Sequence, residues 1–255
     1  MDLKIRGRVA LVTGASSGIG EAVALALAAE GATVAIAARR RERLEAVARQ
    51  ALERGASAAQ AFAADLEDPN SVDRLLEDVR RAFGDPAILI ANSGGPTPGK
   101  FLELDLTQWD AGYRSTLRNM LQLVHGVIPA MRAQQWGRIV ALTSSSVKQP
   151  IPALALSNAF RVGLVAAMKT LSLEVAKDGI TVNAIATGRV LTDRLRHLYP
   201  DEKALHEAAA AEIPAGHVAT PAEFAPMIAF LCGDTAGYVT GQTIAVDGGL
   251  IKGLL

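Results

Sequence analysis

The sequence predicts an α/β fold, in which helices cover both faces of a single doubly wound parallel sheet. Short apolar runs of β-type residues recur along the chain and alternate with longer stretches of helical periodicity. Such alternation is typical of parallel β-α-β units, because each crossover helix packs on one face of the sheet. The 255 residues, half of them hydrophobic, suffice for one large core, and no linker-like segment or repeat divides them. We therefore expect one domain over residues 1–255.

The elements follow one another in a regular order from Arg8. The first strand leads through a glycine-rich turn into a helix that a glycine closes, as "RVALVTG" and "IGEAVALALAAEGA" show. Six later strands are predicted at "TVAIAAR", "AQAFAADL", "AILIANSG", "GRIVALTSSS", "ITVNAIATG" and "QTIAVDGG". Helices are predicted between them, for example at "RERLEAVARQALERG" and "SVDRLLEDVRRAFG".

One irregular region, at about residues 189–222, follows a predicted strand. It is charged and contains three prolines. In an open α/β sheet, ligands bind outside the carboxyl ends of the strands. We therefore expect this segment to be a small lid over the ligand site.

Composition limits the classes of function. Lys plus Arg and Asp plus Glu both number 26, so no net charge favours nucleic acid or an anionic membrane surface. Cys232 is the only cysteine and the four histidines show no metal-ligand spacing, which indicates neither an internal disulfide nor a metal site. No apolar run is long enough for a membrane span or a cleaved leader. These observations predict a cytoplasmic protein that binds a small molecule.

The glycine-rich turn predicts a dinucleotide site. In "TGASSGIG", three glycines lie between a strand and a helix, where bare backbone lets a pyrophosphate approach the helix N-terminus. A merely tight turn would also use glycine, but this is the first β-α turn of the predicted sheet, where such sites lie. The candidate cofactor residues of this turn are Gly14, Ser16, Ser17, Gly18, Ile19 and Gly20.

The spacing G-x-x-x-G-x-G, with Asp65 after the third strand, "ANSG" after the fourth and "VDGG" near the end, resembles the short-chain dehydrogenase/reductase family. The resemblance covers nearly the whole chain and is strongest to 3-oxoacyl-[acyl-carrier-protein] reductases. It implies a Rossmann-type sheet, a nicotinamide cofactor and the tetramer common in the family. It also implies roles for Asp65 and Leu66 at the adenine, Asn92 and Gly94 along the cleft, and Gly188 and Thr192 at the nicotinamide half. Ala91 and Thr187 depart from the family's usual Asn and Pro.

The end of the second predicted strand favours NADP(H) over NAD(H). A carboxylate there would bind the ribose hydroxyls of NAD, but this chain has Ala38 followed by a run of arginines. We expect Arg39 to contact the 2′-phosphate of NADP, with Arg40 beside it, while Arg41 begins a solvated helix.

The catalytic residues depart from the family. The resemblance implies a proton-donating Tyr, a Lys four residues later on the same helix face, a Ser on the preceding strand and an Asn on an earlier helix. Here the Ser position is assigned to Ser144, although its two serine neighbours are open alternatives, and Thr116 stands where Asn would be. In "LALSN" the Tyr position is assigned to Leu154 and the Lys position to Asn158.

A substitute acid is hard to find in the sequence. Tyr199 and Lys203 in "YPDEK" have the Y-x-x-x-K spacing, but proline follows the tyrosine and the string lies in the predicted lid. We interpret that spacing as a coincidence and keep Tyr199 only as an alternative donor. Three hypotheses stay open: an NADP(H)-dependent oxidoreductase with an atypical mechanism, a catalytically silent NADP(H)-binding sensor or partner subunit, and a lyase or isomerase that reuses the pocket.

The predicted helix that contains these positions also indicates self-association. The stretch "LALSNAFRVGLVAAMKTLSLEVA" is apolar around most of its circumference, whereas one sheet covers only one stripe of a helix. Its far side must therefore meet another surface. We expect a homo-oligomer, most simply the family's tetramer.

Overall fold

A computed structural model describes residues 1–254 and contains one seven-stranded parallel sheet with the strand order β3-β2-β1-β4-β5-β6-β7. The predicted α/β fold with a Rossmann-type sheet is confirmed. The strands are β1 (Val9–Thr13), β2 (Thr33–Ala38), β3 (Ala58–Ala63), β4 (Ile88–Ala91), β5 (Gly137–Leu142), β6 (Ile180–Thr187) and β7 (Thr243–Val246).

The central strands are apolar because both of their faces are covered. Every residue of β4 and β5 is buried, as are nearly all of β1, β2 and β6, whereas the edge strands β3 and β7 are mostly half-exposed. This burial explains why the strands appear in the sequence as continuous apolar runs and not as alternating ones.

The helices lie on both faces of the sheet. They are α1 (Gly18–Ala29), α2 (Arg41–Glu53), α3 (Pro69–Phe83), α4 (Leu106–Tyr113), α5 (Asn119–Gln134), α6 (Ala155–Val175), α7 (Asp193–Arg196), α8 (Glu202–Glu212) and α9 (Pro221–Leu231). One hydrophobic cluster joins α1, α2 and α9 to one face, and a second joins α3, α5 and α6 to the other. Among the described helices, none is long and apolar enough to cross a membrane.

Two local features position the site. The chain order reverses between β1 and β4, which lie side by side with Leu11 opposite Leu89. A crevice opens at such a reversal, outside the carboxyl ends of the strands. Between α4 and α5 the helical chain passes through a π-helical turn at Arg114–Arg118, a feature often found at functional sites.

The segment predicted as a lid contains α7 and α8 and has a small core of its own. Four of its residues are buried together, and Tyr199 packs against them: Leu205, Ala209, Ile213 and Val218. A backbone hydrogen bond from the Leu191 amide to the Ala219 carbonyl joins the two ends of this segment.

Candidate active site

A cavity of about 630 Å3 opens at the carboxyl ends of the central strands. Its walls are the glycine turn after β1, the loop after β4, the turn after β5, the first half of α6 and the start of the segment after β6. The predicted residues Asn92, Gly94, Gly188 and Thr192 all line it, as do four residues of the glycine turn: Gly14, Ser17, Gly18 and Gly20. Ile19, from the same turn, lines it as well.

The glycine turn is closed so tightly that a side chain at Gly20 has no space. A Cβ atom there would lie 2.3 Å from the carbonyl oxygen of Gly14. Thr13 Oγ1 donates to the Asn92 carbonyl over 2.7 Å, and Asn92 Nδ2 donates to the Gly14 carbonyl over 3.3 Å. These contacts hold the turn against the end of β4, with the N-terminus of α1 facing the cavity.

An arginine lies against this turn from the end of β2. The Nη2 atom of Arg40 donates to the hydroxyl oxygens of Ser16 and Ser17 over 3.0 and 2.9 Å. Arg39 is exposed, and Ala38 leaves the strand end without a carboxylate. The arginine that touches the glycine turn is therefore Arg40, whereas the sequence predicts Arg39 for the contact with the 2′-phosphate.

Asp65 and Leu66 lie beyond β3, outside the lining of the cavity. The Asp65 carboxylate accepts a hydrogen bond from the Glu67 backbone over 3.0 Å, and Leu66 packs against the core on the α3 side. The Ala64 amide donates to the Ala38 carbonyl over 2.9 Å, which places this corner beside the end of β2.

The two departures from the family pattern lie at strand ends. Ala91 is buried at the end of β4. Thr187, at the end of β6, has a buried hydroxyl with no hydrogen-bond partner within residues 1–254. The next residue must be glycine, because a Cβ atom at Gly188 would lie 2.4 Å from the Asp247 Cα atom.

The serines after β5 form a short turn at the floor of the cavity. Ser144 caps this turn, and its hydroxyl accepts a hydrogen bond from the Ser146 backbone over 3.1 Å. Ser144 and Ser145 line the cavity, whereas Ser146 lies behind them. Its hydroxyl lies 3.5 Å from that of Ser157 on α6.

The two residues that the sequence assigned to the Tyr and Lys positions do not face the cavity as a pair. Leu154 lines the cavity as the N-cap of α6. Asn158 is absent from the lining, since its side chain binds both backbone groups of Ile151, over 3.0 and 3.1 Å. Asn158 thus holds the loop that precedes the helix.

A different pair on α6 faces the cavity: Ser157 and Arg161, one helical turn apart. Their side chains are buried, with 7% and 8% of the residue surface exposed. Arg161 Nη1 donates to the Leu142 carbonyl over 3.0 Å. Burial, together with the charge of Arg194, lowers the pKa of Arg161 to about 10. The sequence carries one signal for this pair: an arginine lies within an otherwise apolar helix stretch, four residues after a serine, which is the spacing of the family's Tyr and Lys.

Thr116 lies in the π-helical turn, outside the cavity lining. It is 1% exposed, and its hydroxyl has no hydrogen-bond partner among the described residues. The turn packs against α6, where a Cβ atom at Gly163 would lie 3.4 Å from Leu117. An unpaired buried hydroxyl is uncommon and is unfavourable for folding.

The segment after β6 forms part of the cavity wall. Arg194 on α7 reaches across to the loop after β4 and donates to the carbonyls of Gly95 and Pro96 over 3.0 and 3.3 Å. Burial lowers the pKa of Arg194. Tyr199 also lines the cavity, but Arg189 donates to its hydroxyl oxygen and in turn pairs with Glu212.

The chain is similar to several known reductases. Residues 14–251 match a protein-family model described as enoyl-(acyl carrier protein) reductase. The chain is 34% identical over 248 residues to the 3-oxoacyl-[acyl-carrier-protein] reductase FabG of Escherichia coli, and the match covers 97% of this chain and 99% of that enzyme.

Two solved structures are also similar. L-sorbose reductase from Gluconobacter frateurii, in complex with NADPH and L-sorbose, is 34% identical, with a TM-score of 0.94 and 100% of both chains covered. A variant of actinorhodin polyketide ketoreductase with NADPH is 34% identical, with a TM-score of 0.89 and 95% and 97% of the two chains covered.

Proposed function

Because the chain belongs to the short-chain dehydrogenase/reductase family, we propose that it is an NADP(H)-dependent oxidoreductase that reduces a small carbonyl substrate. The carbonyl group, such as that of a 3-oxoacyl compound, becomes an alcohol. The observation that supports this proposal is the pair Ser157 and Arg161, which faces the cavity beside Ser144. A buried hydroxyl beside a buried cation can donate a proton to a substrate while the cation stabilises the charge that results.

A nicotinamide cofactor suits the residues present. The backbone amides of the glycine turn and the N-terminus of α1 would hold its pyrophosphate, since Gly14, Gly18 and Gly20 leave bare backbone at the cavity wall. We propose that NADP(H) is preferred over NAD(H), with Arg40, Ser16 and Ser17 holding the 2′-phosphate and Arg39 adding charge nearby. A charge-assisted contact of this kind contributes about 1.5–3 kcal/mol, or roughly ten- to a hundredfold in affinity.

The proposed chemistry at the substrate uses three side chains. A nicotinamide, when bound in the cavity, would supply the hydride for the carbonyl carbon. The hydroxyls of Ser144 and Ser157 donate hydrogen bonds to the carbonyl oxygen, where negative charge develops. Ser157 then gives its proton to this oxygen, and the Arg161 guanidinium stabilises the serine oxygen until solvent returns a proton. An alcohol is a weaker acid than the phenol of the family, so the nearby cation is needed for this step.

This assignment replaces the one made from the sequence. The family's Tyr and Lys lie on one helix face, one turn apart, toward the substrate. Ser157 and Arg161 have this arrangement, whereas Asn158 is held by Ile151. We therefore propose that Leu154 and Asn158 are not the replaced catalytic positions. Thr116 remains our candidate for the Asn position, with a positioning role through the π-helical turn.

The test is the oxidation of NADPH in the presence of a panel of small ketones and oxo acids. We expect turnover by the wild type, and Ser157→Ala to lower it by about 10²–10⁴-fold, the usual contribution of a positioned acid. Thr170→Ala is the matched control, because this hydroxyl lies on the same helix but is exposed and binds only the Ala166 carbonyl. Tyr199→Phe should also keep its activity, and its loss would make Tyr199 the donor. Tight NADPH binding without turnover of any substrate would favour a catalytically silent sensor or partner subunit.

We also propose that residues 189–222 act as a lid within a single domain. Arg194 connects α7 to the opposite wall through Gly95 and Pro96. Opening the mouth requires these hydrogen bonds to break, so Arg194→Ala should speed cofactor release in stopped-flow fluorescence.

An exposed apolar patch supports self-association. The patch consists of Phe101, Leu102, Leu106, Tyr113 and Val162, all well exposed, with Leu102 at 95%. An edge-to-face chain of aromatic rings lies beneath it, for example Phe101 on Trp109 at 5.4 Å between centroids. Large exposed patches of this kind mark protein interfaces. We propose a homo-oligomer through this patch, with the tetramer as the expected size and the cytoplasm as the location; a monomer by light scattering at micromolar concentration would contradict the oligomer.

A further inference from the structure

We propose that the substrate of this site carries a carboxylate, which the guanidinium of Arg161 binds, so that the substrate class is small 2-oxo or 3-oxo acids and their hydroxy acids. The reduction of this substrate rests on the proposed function, whereas the binding of its carboxylate by Arg161 does not. The inference follows from the charge of the cavity, the N–H donors of Arg161 that have no partner among the described hydrogen bonds, and the shapes of the side chains.

The first observation is a buried cation without a counter-ion. Arg161 is 8% exposed, and no carboxylate within residues 1–254 lies at salt-bridge distance from it. A buried charge is unfavourable unless it is paired and hydrogen-bonded. Of the five N–H donors of a guanidinium, the described hydrogen bonds use one, toward the Leu142 carbonyl. Because Arg161 lines the cavity, the remaining donors are available to a ligand.

The acidic residues of the cavity are already paired with other arginines. Glu212 binds Arg189, and Asp193 lies 3.9 Å from Arg43 and 3.5 Å from Arg196. Arg194 lines the same cavity and has only backbone carbonyls as hydrogen-bond partners in the described chain. Its charge contributes to the lowered pKa of Arg161, after burial. The cavity therefore holds excess positive charge that an anion would neutralise.

The phosphates of the cofactor are not suited to be that anion at Arg161. Their place is the glycine turn after β1, with the α1 N-terminus and Arg40. Arg161 instead lies at the end of β5, bonded to Leu142 and one turn from Ser157, at the end of the cavity where we place the reacting carbonyl. The family resemblance implies that a cation at this position also contacts the nicotinamide ribose, but the ribose hydroxyls are neutral and leave its charge uncompensated. An anion bound there therefore belongs to the substrate.

The shapes of the side chains favour a carboxylate. Relative to the Tyr and Lys that the family resemblance implies, a serine at position 157 leaves the space of an aromatic ring unfilled. An arginine at position 161 replaces a point charge by a planar fork that matches two carboxylate oxygens. The cavity of about 630 Å3 has to take the cofactor as well, so the remaining space suits a small acid.

The experiment compares matched acid and ester pairs. NADPH oxidation is measured with 2-oxobutanoate and 3-oxobutanoate and with their methyl esters, for the wild type, Arg161→Gln, Arg161→Lys and the exposed-surface control Arg49→Gln. We expect the wild type and the control to prefer each acid over its ester by at least tenfold in kcat/KM, mainly through KM. In Arg161→Gln this ratio should fall toward one, while Arg161→Lys should keep part of it, since one charged contact corresponds to about ten- to a hundredfold.

A binding measurement separates this inference from the proposed function. Malonate is titrated into the NADP+ complex by calorimetry, with wild type and Arg161→Gln whose thermal unfolding and NADP+ affinity have been checked. At least tenfold weaker malonate binding by the variant supports the inference even if no substrate turns over, a result that would count only against the proposed reaction. Equal malonate binding by the two proteins, or esters used as well as acids by the wild type, would overturn the inference. The acid-to-ester comparison in the wild type tests the inference whether or not the variant folds.

Discussion

Gly20→Ala should damage the proposed cofactor site through the backbone alone. Its Cβ atom would lie 2.3 Å from the Gly14 carbonyl oxygen and 2.9 Å from the Ala15 Cα atom, whereas ordinary contact begins at 3.4 Å. Both neighbours are backbone, so the glycine turn itself must move by about an ångström. Overpacking of a tight region destabilises a protein by about 1–3 kcal/mol. For a chain of this length, each kcal/mol corresponds to about 2–4 °C in Tm.

Two measurements test this prediction. Thermal unfolding should show Tm lowered by about 2–12 °C, and fluorescence titration should show NADPH binding weakened at least tenfold, because the amides that would hold the pyrophosphate are displaced. The matched control is Gly163→Ala, whose Cβ atom would meet Leu117 at an ordinary 3.4 Å and which should be as stable as the wild type or slightly more so. If Gly20→Ala kept both its Tm and its NADPH affinity, the turn would not be the cofactor site that we infer.

Three further predictions concern single side chains. Arg40→Gln should weaken NADPH binding by roughly ten- to a hundredfold and leave NADH binding nearly unchanged, since only the 2′-phosphate contact is lost; equal losses in calorimetry would contradict the NADP(H) preference. Thr116→Val should leave the free energy of unfolding unchanged or raise it by up to about 1 kcal/mol, because a buried unpaired hydroxyl becomes a methyl group; a clear loss in chemical denaturation would reveal a partner for this hydroxyl. Cys232 should resist a thiol reagent at pH 8 until the protein unfolds, because burial raises the pKa of its thiol to about 12 from 9.0. The free energy of unfolding should not depend on this thiol below pH 9 and should fall as the pH rises from 9 to 12. Over that range the thiol of the unfolded chain is ionised, whereas the buried thiol still holds its proton.

The order and type of the main elements could be predicted from the sequence. Buried parallel strands must be apolar on both faces, so each appears as a short continuous run, and every strand predicted from such a run is present. The glycine turn was equally predictable, because the close approach at Gly20 excludes any other residue and fixes its place between β1 and α1. The loss of a carboxylate at Ala38 is also visible in the sequence.

The contacts of the arginines that follow β2 could be found only from the structure. Three arginines follow Ala38 in a row, and a linear pattern does not show which one turns back toward the glycine turn. The pairing of β1 with β2 brings their carboxyl ends together, and only Arg40 reaches Ser16 and Ser17 from there.

The tertiary structure also decided which residues of α6 face the cavity. Leu154 with Asn158, and Ser157 with Arg161, have the same spacing of four residues, so each pair lies along one side of a helix. Periodicity predicts that a helix exists but leaves open the direction in which a given side points. That direction depends on how α6 packs against β6 and the π-helical turn, and on the loop that Asn158 holds at Ile151. The sequence by itself therefore determined the fold and the glycine turn, whereas only packing between distant elements placed Ser157 and Arg161 in the cavity.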